Sequence, residues 1–338
     1  LKDGSATSIY GARAMAGVIV VTTKKGRSGH SSISYTGEYT MRLKPSYRNF
    51  NIMNSQDQMA VYQELEQKGW LNYANIANAE NSGVYGKMYQ LLSQYDDSSF
   101  QYGLPNTEIA KAAYLREAEF RNTDWFDILF TYNLQHNHSV SMSGGTDKGN
   151  YYASLSIMDD RGWTKQSSVQ RYTANINTTY RIFDNLSLNM IGNASYRRQS
   201  APGTLAQDLD TVNGAVTRKF DINPYSYALN TSRTLDPNEF YTRDYAPFNI
   251  LYELDNNYMD IDVTNVRFQG ELKWKVFGDL ELSVLAASKF ATTSREHNIL
   301  DGSNQAQAYR AAYTTTIRDS NSYMYTDPDV KYALPETV

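Results

Sequence analysis

Polar and apolar residues alternate along much of the chain with a period of two, which is typical of β-strands with one apolar face. In the first such stretch, residues 32–42, the apolar set includes Ile33, Tyr35 and Met41, while Ser and Thr dominate the positions between them. The same alternation recurs over 134–144, 150–158, 171–182, 186–197, 264–276 and, less regularly, 280–291. The pattern predicts seven strands and an all-β, antiparallel fold.

The lengths of these strands and of their connections favour a membrane barrel over a soluble sandwich. The strands run to about 9–13 residues, longer than the ~5–6 of globular sheets and close to the ~9–11 of membrane strands. Short turns near 148, 184 and 278 alternate with long connections, as in outer-membrane barrels. We predict extracellular loops over 44–133, 159–170, 198–263 and 292–338. Aromatic residues near strand ends suit interfacial girdles: Tyr35, Tyr151, Tyr172, Tyr180, Tyr196 and Trp274.

Composition narrows the class of protein further. The 338 residues carry 32 basic and 36 acidic side chains, a balance that argues against a nucleic-acid partner. No cysteine is present, which excludes disulfide scaffolds, thiolate zinc sites and thiol catalysis. The longest apolar run, within Ala14–Val21, is too short for a membrane helix. The negative mean hydropathy of −0.58 fits strands with one polar face and long polar loops.

Seven strands cannot close a barrel, because bacterial single-chain barrels have even strand counts and open edges are not tolerated in lipid. We therefore expect further strands beyond residue 338 and, since the chain opens on Leu1 without a signal peptide, a longer protein. The apolar faces should point to outer-membrane lipid and the polar faces to the lumen. Within the first long loop, helix signals predict helices over Asn54–Lys68 and Ile109–Arg121.

Three motifs carry a family resemblance. LKDGSATSIYGARAMAGVIVVTTKKG (1–26) resembles the end of the plug domain of SusC/RagA-type TonB-dependent outer-membrane transporters of Bacteroidota. NTDWFDILF (122–130) resembles a second family signature, and SVSMSGGTDKGNYYASLSIMDDRGW (139–163) the first periplasmic hairpin. The resemblance implies that 1–29 is the C-terminal end of a plug. It implies that 30–338 is the first third of a transmembrane antiparallel β-barrel of about 22 strands.

The resemblance also implies a function and a location in the outer membrane of a Gram-negative bacterium. Family members import oligomers, usually glycans, together with a SusD-like surface lipoprotein that caps the barrel, and are energised by the TonB complex of the inner membrane. We expect oligosaccharide import, with a dimer of transporter–lid pairs. Oligopeptide import by the same mechanism stays open. So do a passive porin or surface adhesin barrel, which would lack the plug-like segment, and a secreted glycan-binding module.

The candidate site residues follow from the chemistry of sugar recognition, in which aromatic faces stack on the ring and carboxylates or arginines bind hydroxyls. For each residue alone, packing within a loop or contact with the lid is the simpler interpretation. The substrate candidates are Asp160, Arg161, Trp163, Arg171, Asp208, Asp210, Tyr225 and Tyr227. Contacts between plug and barrel are expected at Tyr10, Arg13, Arg267, Glu271 and Lys273.

Neither a catalytic nor a cofactor site is predicted. No nucleophile elbow or matching base is present, so we expect no enzyme activity. His136 and His138 share a strand face, but no third ligand is suitably spaced, and interfacial packing is the simpler interpretation. The stretch 208–214 departs from the calcium-loop spacing and lacks the distal Glu, which favours a solvated or sugar-contacting loop over a calcium site.

Overall fold

Seven long strands form one antiparallel sheet in this computed structural model. It describes residues 24, 26, 29, 31–71, 76, 82–203, 207–210, 215–218, 223–243, 246–278 and 280–311, with the backbone alone at 207–210, 215–218 and 308–311. Each strand pairs with its neighbour in chain order. The strands are β1 (Ser32–Arg42), β2 (Asn133–Thr146), β3 (Gly149–Asp160), β4 (Ser168–Phe183), β5 (Leu186–Pro202), β6 (Asn257–Phe277) and β7 (Leu280–Ile299). The predicted antiparallel fold class is confirmed.

The strand register aligns the apolar positions into one continuous face. One row across the sheet runs through Tyr35, Val140, Leu155, Ala174, Ala194, Val266 and Phe290. The apolar face ends two residues further on, where Tyr172 stacks on Tyr196 with ring centroids 6.4 Å apart. Leu188 lies eight residues from Tyr196 on β5, which is about 27 Å along a strand. With a tilt of about 40°, the apolar band is roughly 20 Å high, close to the ~25 Å of barrel strands in membranes.

The opposite face is polar and is held together by side-chain hydrogen bonds between strands. The Asn193 amide donates to Asn175 Oδ1 (2.9 Å), and the Asn175 amide donates to Ser154 Oγ (3.2 Å). The amide of buried Asn177 donates to the carbonyl oxygen of Lys24 (3.1 Å). The chain just before β1 therefore lies against the polar face of the sheet.

The strands are longer than the alternation predicts. The last hairpin, β6 with β7, continues to Asn257 and Ile299, well beyond the predicted 264–276 and 280–291. The face of the sheet that is apolar further down is polar in the upper part of this hairpin. There Asp262 accepts hydrogen bonds from Tyr196 (2.7 Å) and Arg198 (3.4 Å). The period-two signal changes phase there, because the apolar residues Met259, Ile261 and Val263 lie on the opposite face from Val266 and Phe268. No helix within the described ranges is both long and apolar enough to cross a membrane.

The two longest connections fold into helices and short hairpins. Both predicted helices are confirmed to within a residue, and each is capped by a side chain that accepts from a backbone N–H: Asn54 from Asp57 and Thr107 from Ala110. The helices are α1 (Ser55–Gln67), α2 (Gly83–Ser93), α3 (Glu108–Arg121), α4 (Trp125–Leu129), α5 (Pro224–Asn230), α6 (Ile250–Asn256) and α7 (Asn304–Ala311). Short hairpins pair Tyr95–Asp96 with Gln101–Tyr102, Gln207–Asp210 with Ala215–Arg218, and Tyr241–Arg243 with Ala246–Phe248.

Candidate functional site

The connections that follow β1 and β5 pack against each other around a shared hydrophobic core; we call the described residues of 43–132 and 223–256 the loop subdomain. The ring of Phe126 is fully buried and lies 4.7 Å from Tyr47 and 5.6 Å from Phe130 between ring centroids. The other core side chains come from both connections and include Met59, Met88, Trp125, Leu129, Ile250 and Leu254. These two connections are thus a packed body rather than independent segments.

The 122–130 motif joins the two halves of this subdomain. The Thr123 N–H donates to the Arg233 carbonyl oxygen (2.8 Å), and Arg233 Nε donates back to the Thr123 carbonyl oxygen (3.0 Å). Trp125 Nε1 donates to the Ser232 carbonyl oxygen (3.0 Å). The Arg233 guanidinium also lies 4.3 Å from the centre of the Tyr47 ring, a cation–π geometry. The motif therefore acts structurally, by anchoring the second loop.

Two of the predicted substrate residues have structural partners. The Asp160 carboxylate accepts from the Asn133 amide (2.6 Å) and from the Gly162 N–H (2.9 Å), which closes the turn after β3. Trp163 Nε1 donates to the Leu43 carbonyl oxygen (2.9 Å), and its ring packs on Phe130. These contacts fit the simpler interpretation, in which both residues pack within a loop.

Arg161 and Tyr225 are more accessible than their neighbours. The Arg161 side chain is 88% exposed and lies 3.8 Å from Asp159. Tyr225 keeps 37% of its surface exposed, with its ring centroid 6.1 Å from Trp163 and 6.0 Å from Phe130. The structure therefore places the exposed ring of Tyr225 against the buried ring of Phe130 and the half-buried ring of Trp163.

Other predicted residues are dispersed. Tyr227 packs edge-on against Trp125, and burial raises the pKa of its phenol well above the usual value. Asp208 and Asp210 lie on the Gln207–Asp210 strand, whose backbone alone is described. Tyr10 and Arg13 fall outside the described residues.

The predicted plug-contact residues of β6 lie on the polar face. Arg267 donates to Gln269 Oε1 (2.7 Å), and Lys273 lies 3.4 Å from Glu271. Across the sheet, Arg267 stands directly opposite Lys289. Arg171, the predicted substrate residue of β4, stands directly opposite Arg197 on β5 in the same way. Arg197 is absent from the predicted set of substrate residues, although the alternation over 186–197 places it on the polar face.

A buried carboxyl group that the sequence did not reveal ties the loop subdomain to the last hairpin. Glu253 is 1% exposed and accepts from the Asn304 N–H (2.6 Å) and the Asn257 amide (3.0 Å). Burial raises its pKa, and the hydrogen bonds and nearby Arg243 oppose that rise. Asn257 Oδ1 lies 2.7 Å from His297 Nε2 on β7. One polar network thus links α6, α7 and both strands.

The two histidines of β2 lie in aromatic and polar contacts. His138 Nδ1 is 2.6 Å from the Tyr35 hydroxyl, and His136 Nε2 is 3.5 Å from Asp159. In the part of the chain that the structure describes, no group of three or more His, Cys, Asp or Glu side chains is arranged to hold a metal ion.

Comparison with known proteins places these features among TonB-dependent receptors. The chain is 32% identical over 192 residues to the TonB-dependent receptor SusC of Bacteroides thetaiotaomicron, which covers 56% of the chain and 15% of the relative. It is 28% identical over 267 residues to the TonB-dependent receptor P26 of Formosa agariphila, covering 73% of the chain and 23% of that relative. The chain therefore matches less than a quarter of the length of either receptor. No family model matches.

Solved structures share the fold. The RagAB peptide importer in its closed-closed state superposes with a TM-score of 0.63 at 20% identity, over 89% of this chain and 32% of that one. The open-open state gives 0.60 at 22% identity, over 88% and 32%. The relatives are named as receptors and importers, and none of these names denotes an enzyme.

Proposed function

We propose that this chain, as part of a SusC/RagA-type TonB-dependent transporter, takes part in the active import of oligosaccharides across the outer membrane of a Gram-negative bacterium. The observation that carries the proposal is the pair of opposite faces of the sheet. One is a continuous apolar band of membrane height, and the other is a polar wall against which Lys24 already lies. This arrangement fits a barrel wall with lipid outside and a plug inside.

The proposed domain organisation follows from that contact. Residues 1–29 are the C-terminal end of the plug, and residues 30–338 are barrel strands with their extracellular loops. A SusD-like lipoprotein would sit over the loop subdomain, and TonB would pull the plug from the periplasm. Because the loop subdomain has its own core, it offers the lid a firm surface rather than a set of mobile loops. Transporter and lid would form a dimer of pairs.

Among the predicted substrate residues, those whose side chains are accessible are the ones that could contact a bound substrate. Tyr225 presents an exposed ring 6.1 Å from that of Trp163 between centroids, and Arg161, two residues before Trp163, has an exposed side chain. Asp160, Trp163 and Tyr227 hold the surrounding structure in place. An exposed ring and an exposed charge suit a sugar, which offers both an apolar face and hydroxyls. Asp208, Asp210 and Arg171 are the further proposed contacts.

A second candidate is oligopeptide import. The observation that favours it is the likeness in fold to the RagAB peptide importer over most of the chain. An uptake assay in cells of the source bacterium decides between the two. Fluorescent oligosaccharides and oligopeptides of equal length are supplied to wild-type cells, to cells without TonB and to cells without the adjacent lid protein. We expect TonB-dependent uptake of oligosaccharides, reduced by loss of the lid. TonB-dependent uptake of peptides alone would support the second candidate.

A passive porin or adhesin barrel makes the opposite prediction. Uptake that continues at the wild-type rate without TonB would overturn active transport.

A Tyr225→Ala variant, with Tyr132→Ala as a control at a second exposed tyrosine (67% exposed), tests the proposed sugar contact. Uptake should fall several-fold in the first variant and stay unchanged in the second.

A further inference from the structure

The polar wall brings like charges face to face at two places. Arg171 on β4 is the direct cross-strand partner of Arg197 on β5, and Arg267 on β6 that of Lys289 on β7. Directly opposed side chains have Cβ atoms about 4.5–5.5 Å apart, and like charges at that spacing repel each other and destabilise the sheet. Such pairs call for an anion to neutralise them.

The sheet itself does not supply that anion to the Arg171–Arg197 pair. Both side chains are exposed, and among the described residues neither has an ion pair or hydrogen bond. The nearest acidic side chain in the same row, Glu38, stands three strands away on β1, where it accepts from the Asn137 amide (3.1 Å). The remaining row neighbours of the arginines are Met158 and Val263.

The described residues before β1, which are 24, 26, 29 and 31, carry no carboxylate side chain. Residues 1–31 contain five basic side chains and a single acidic one, Asp3. Lys24 contributes its carbonyl oxygen to Asn177, and the Gly29 N–H donates to the Gly145 carbonyl oxygen. Neither contact brings a negative charge to the wall.

The position of the pair suits a cargo that enters from outside. Arg171 and Arg197 are the chain neighbours of Tyr172 and Tyr196, whose stacked rings mark the upper edge of the apolar face on the other side of the sheet. The arginines therefore face the interior at the level of the extracellular membrane boundary, just below the loop subdomain. An incoming oligomer would pass this point after leaving the loops.

We propose that Arg171 and Arg197 bind an anionic group of the cargo, and that the transported oligosaccharide is acidic, carrying uronate or sulfate groups. This inference rests on the proposed import function. Two guanidinium groups side by side can each direct two N–H donors at a carboxylate or sulfate oxygen pair. Their mutual repulsion is relieved when the anion is bound, which favours the loaded state. A neutral oligosaccharide could accept hydrogen bonds at its hydroxyls but would not relieve this repulsion.

The test uses the full-length transporter with its lid, in cells and as a purified complex. Oligogalacturonides, sulfated galacto-oligosaccharides, neutral gluco-oligosaccharides and oligoglutamate peptides of equal length are the probes. The variant is Arg171→Gln/Arg197→Gln. The matched control, Arg181→Gln/Arg198→Gln, removes two charges from the same two strands, at the far end of β4 and on the outer face of β5.

We expect wild-type protein to bind one of the acidic oligosaccharides at least tenfold more tightly than the neutral probe, with affinity that falls as salt rises. The variant should lose about tenfold for that probe, while the control keeps wild-type affinity. Comparing the oligogalacturonides with the sulfated galacto-oligosaccharides shows whether the bound anionic group is a carboxylate or a sulfate. A preference for neutral oligosaccharides, or equal loss in variant and control, would overturn the proposal.

Other outcomes separate this inference from the proposed function. TonB-dependent uptake of neutral oligosaccharide that the variant leaves unchanged, without preference for acidic probes, would sink the inference and leave the import function standing. Loss of all probes alike in the variant would mean that the arginines hold the plug, which also overturns it. A charge preference restricted to oligoglutamate would replace the acidic sugar by an acidic peptide.

Discussion

Trp125 joins the two halves of the loop subdomain, and replacing it tests directly whether they share one core. Its side chain is 1% exposed, donates to the Ser232 carbonyl oxygen and packs edge-on against Tyr227, with ring centroids 5.2 Å apart. Replacing a buried aromatic by alanine typically costs about 3–5 kcal/mol. The ring contact accounts for about 0.5–1.5 kcal/mol beyond area burial, and the hydrogen bond for about 1 kcal/mol net.

The loss should appear as local opening, because the strands of the sheet do not depend on Trp125. Hydrogen exchange followed by mass spectrometry on the full-length protein reports this opening segment by segment. For Trp125→Ala we expect exchange in 223–243 to accelerate by roughly 100- to 3,000-fold, since each ~1.4 kcal/mol corresponds to a factor of ten. Trp125→Phe keeps most of the packing but leaves a buried carbonyl unpaired, and should show a smaller acceleration.

The matched control is Trp70→Ala, because Trp70 is 69% exposed and its ring lies 5.2 Å from Lys68 Nζ. Backbone amides of β4 and β5 serve as an internal standard that neither variant should change. If exchange in 223–243 were as slow in Trp125→Ala as in Trp70→Ala, the two connections would not depend on this side chain, and the description of one shared core would be wrong.

Three further predictions follow from single residues. Phe268→Arg places a charge on the apolar face, at a cost of about 2–4 kcal/mol near mid-bilayer. Heat-modifiable gel mobility should therefore show less folded barrel for this variant than for Gln269→Arg, which places the charge on the polar face. Equal yields of folded barrel would contradict the assignment of the faces. Gly26→Ala adds a Cβ that overlaps the carbonyl oxygens of Gly144 and Tyr151; labelling of a cysteine at position 24 should increase, whereas Gly270→Ala, where a Cβ meets open space, should change it less. The raised pKa of Glu253 means that the folded state binds a proton more readily than the unfolded one. Its contribution to stability is therefore complete below the unfolded value of 4.5 and is lost as pH rises through the folded pKa. Exchange in 250–256 should accelerate over that range, and Glu253→Gln should remove the pH dependence at some cost in stability, because an amide has one acceptor oxygen for two donors.

The sheet was predictable because its signal is local. Period-two alternation needs only neighbouring residues, and it located all seven strands and their order. The family resemblance, carried by three contiguous motifs, is confirmed by the TonB-dependent relatives. The strand ends were not predictable, since the alternation in β6 changes phase above the apolar band: Asp260 and Asp262 lie on the face of Val266, and Ile261 and Val263 lie on the other face.

The loop subdomain could not be predicted for the opposite reason. Its contacts join residues far apart in the chain: Trp125 meets Ser232 after 107 positions, and Tyr47 meets Ala228 after 181. A helix of five residues such as α4 shows no helical period of its own. Only the first connection contained helices long enough, α1 and α3, to be recognised from their caps and composition.

This difference changes which residues can recognise a cargo. The aromatic content of the loops favoured a sugar as the substrate. In the structure, however, Tyr227 and Trp125 pack against each other, and Trp163 donates a hydrogen bond to the backbone of a neighbouring loop. A ring buried in a core cannot stack on a ligand, so Tyr225 is the predicted aromatic residue whose ring stays exposed. Within the described residues, no hydrogen bond or ion pair engages Arg171 or Arg197. Under the proposed import function, specificity would therefore come more from charge on the cargo than from its apolar faces, and the salt dependence of binding is the property to measure first.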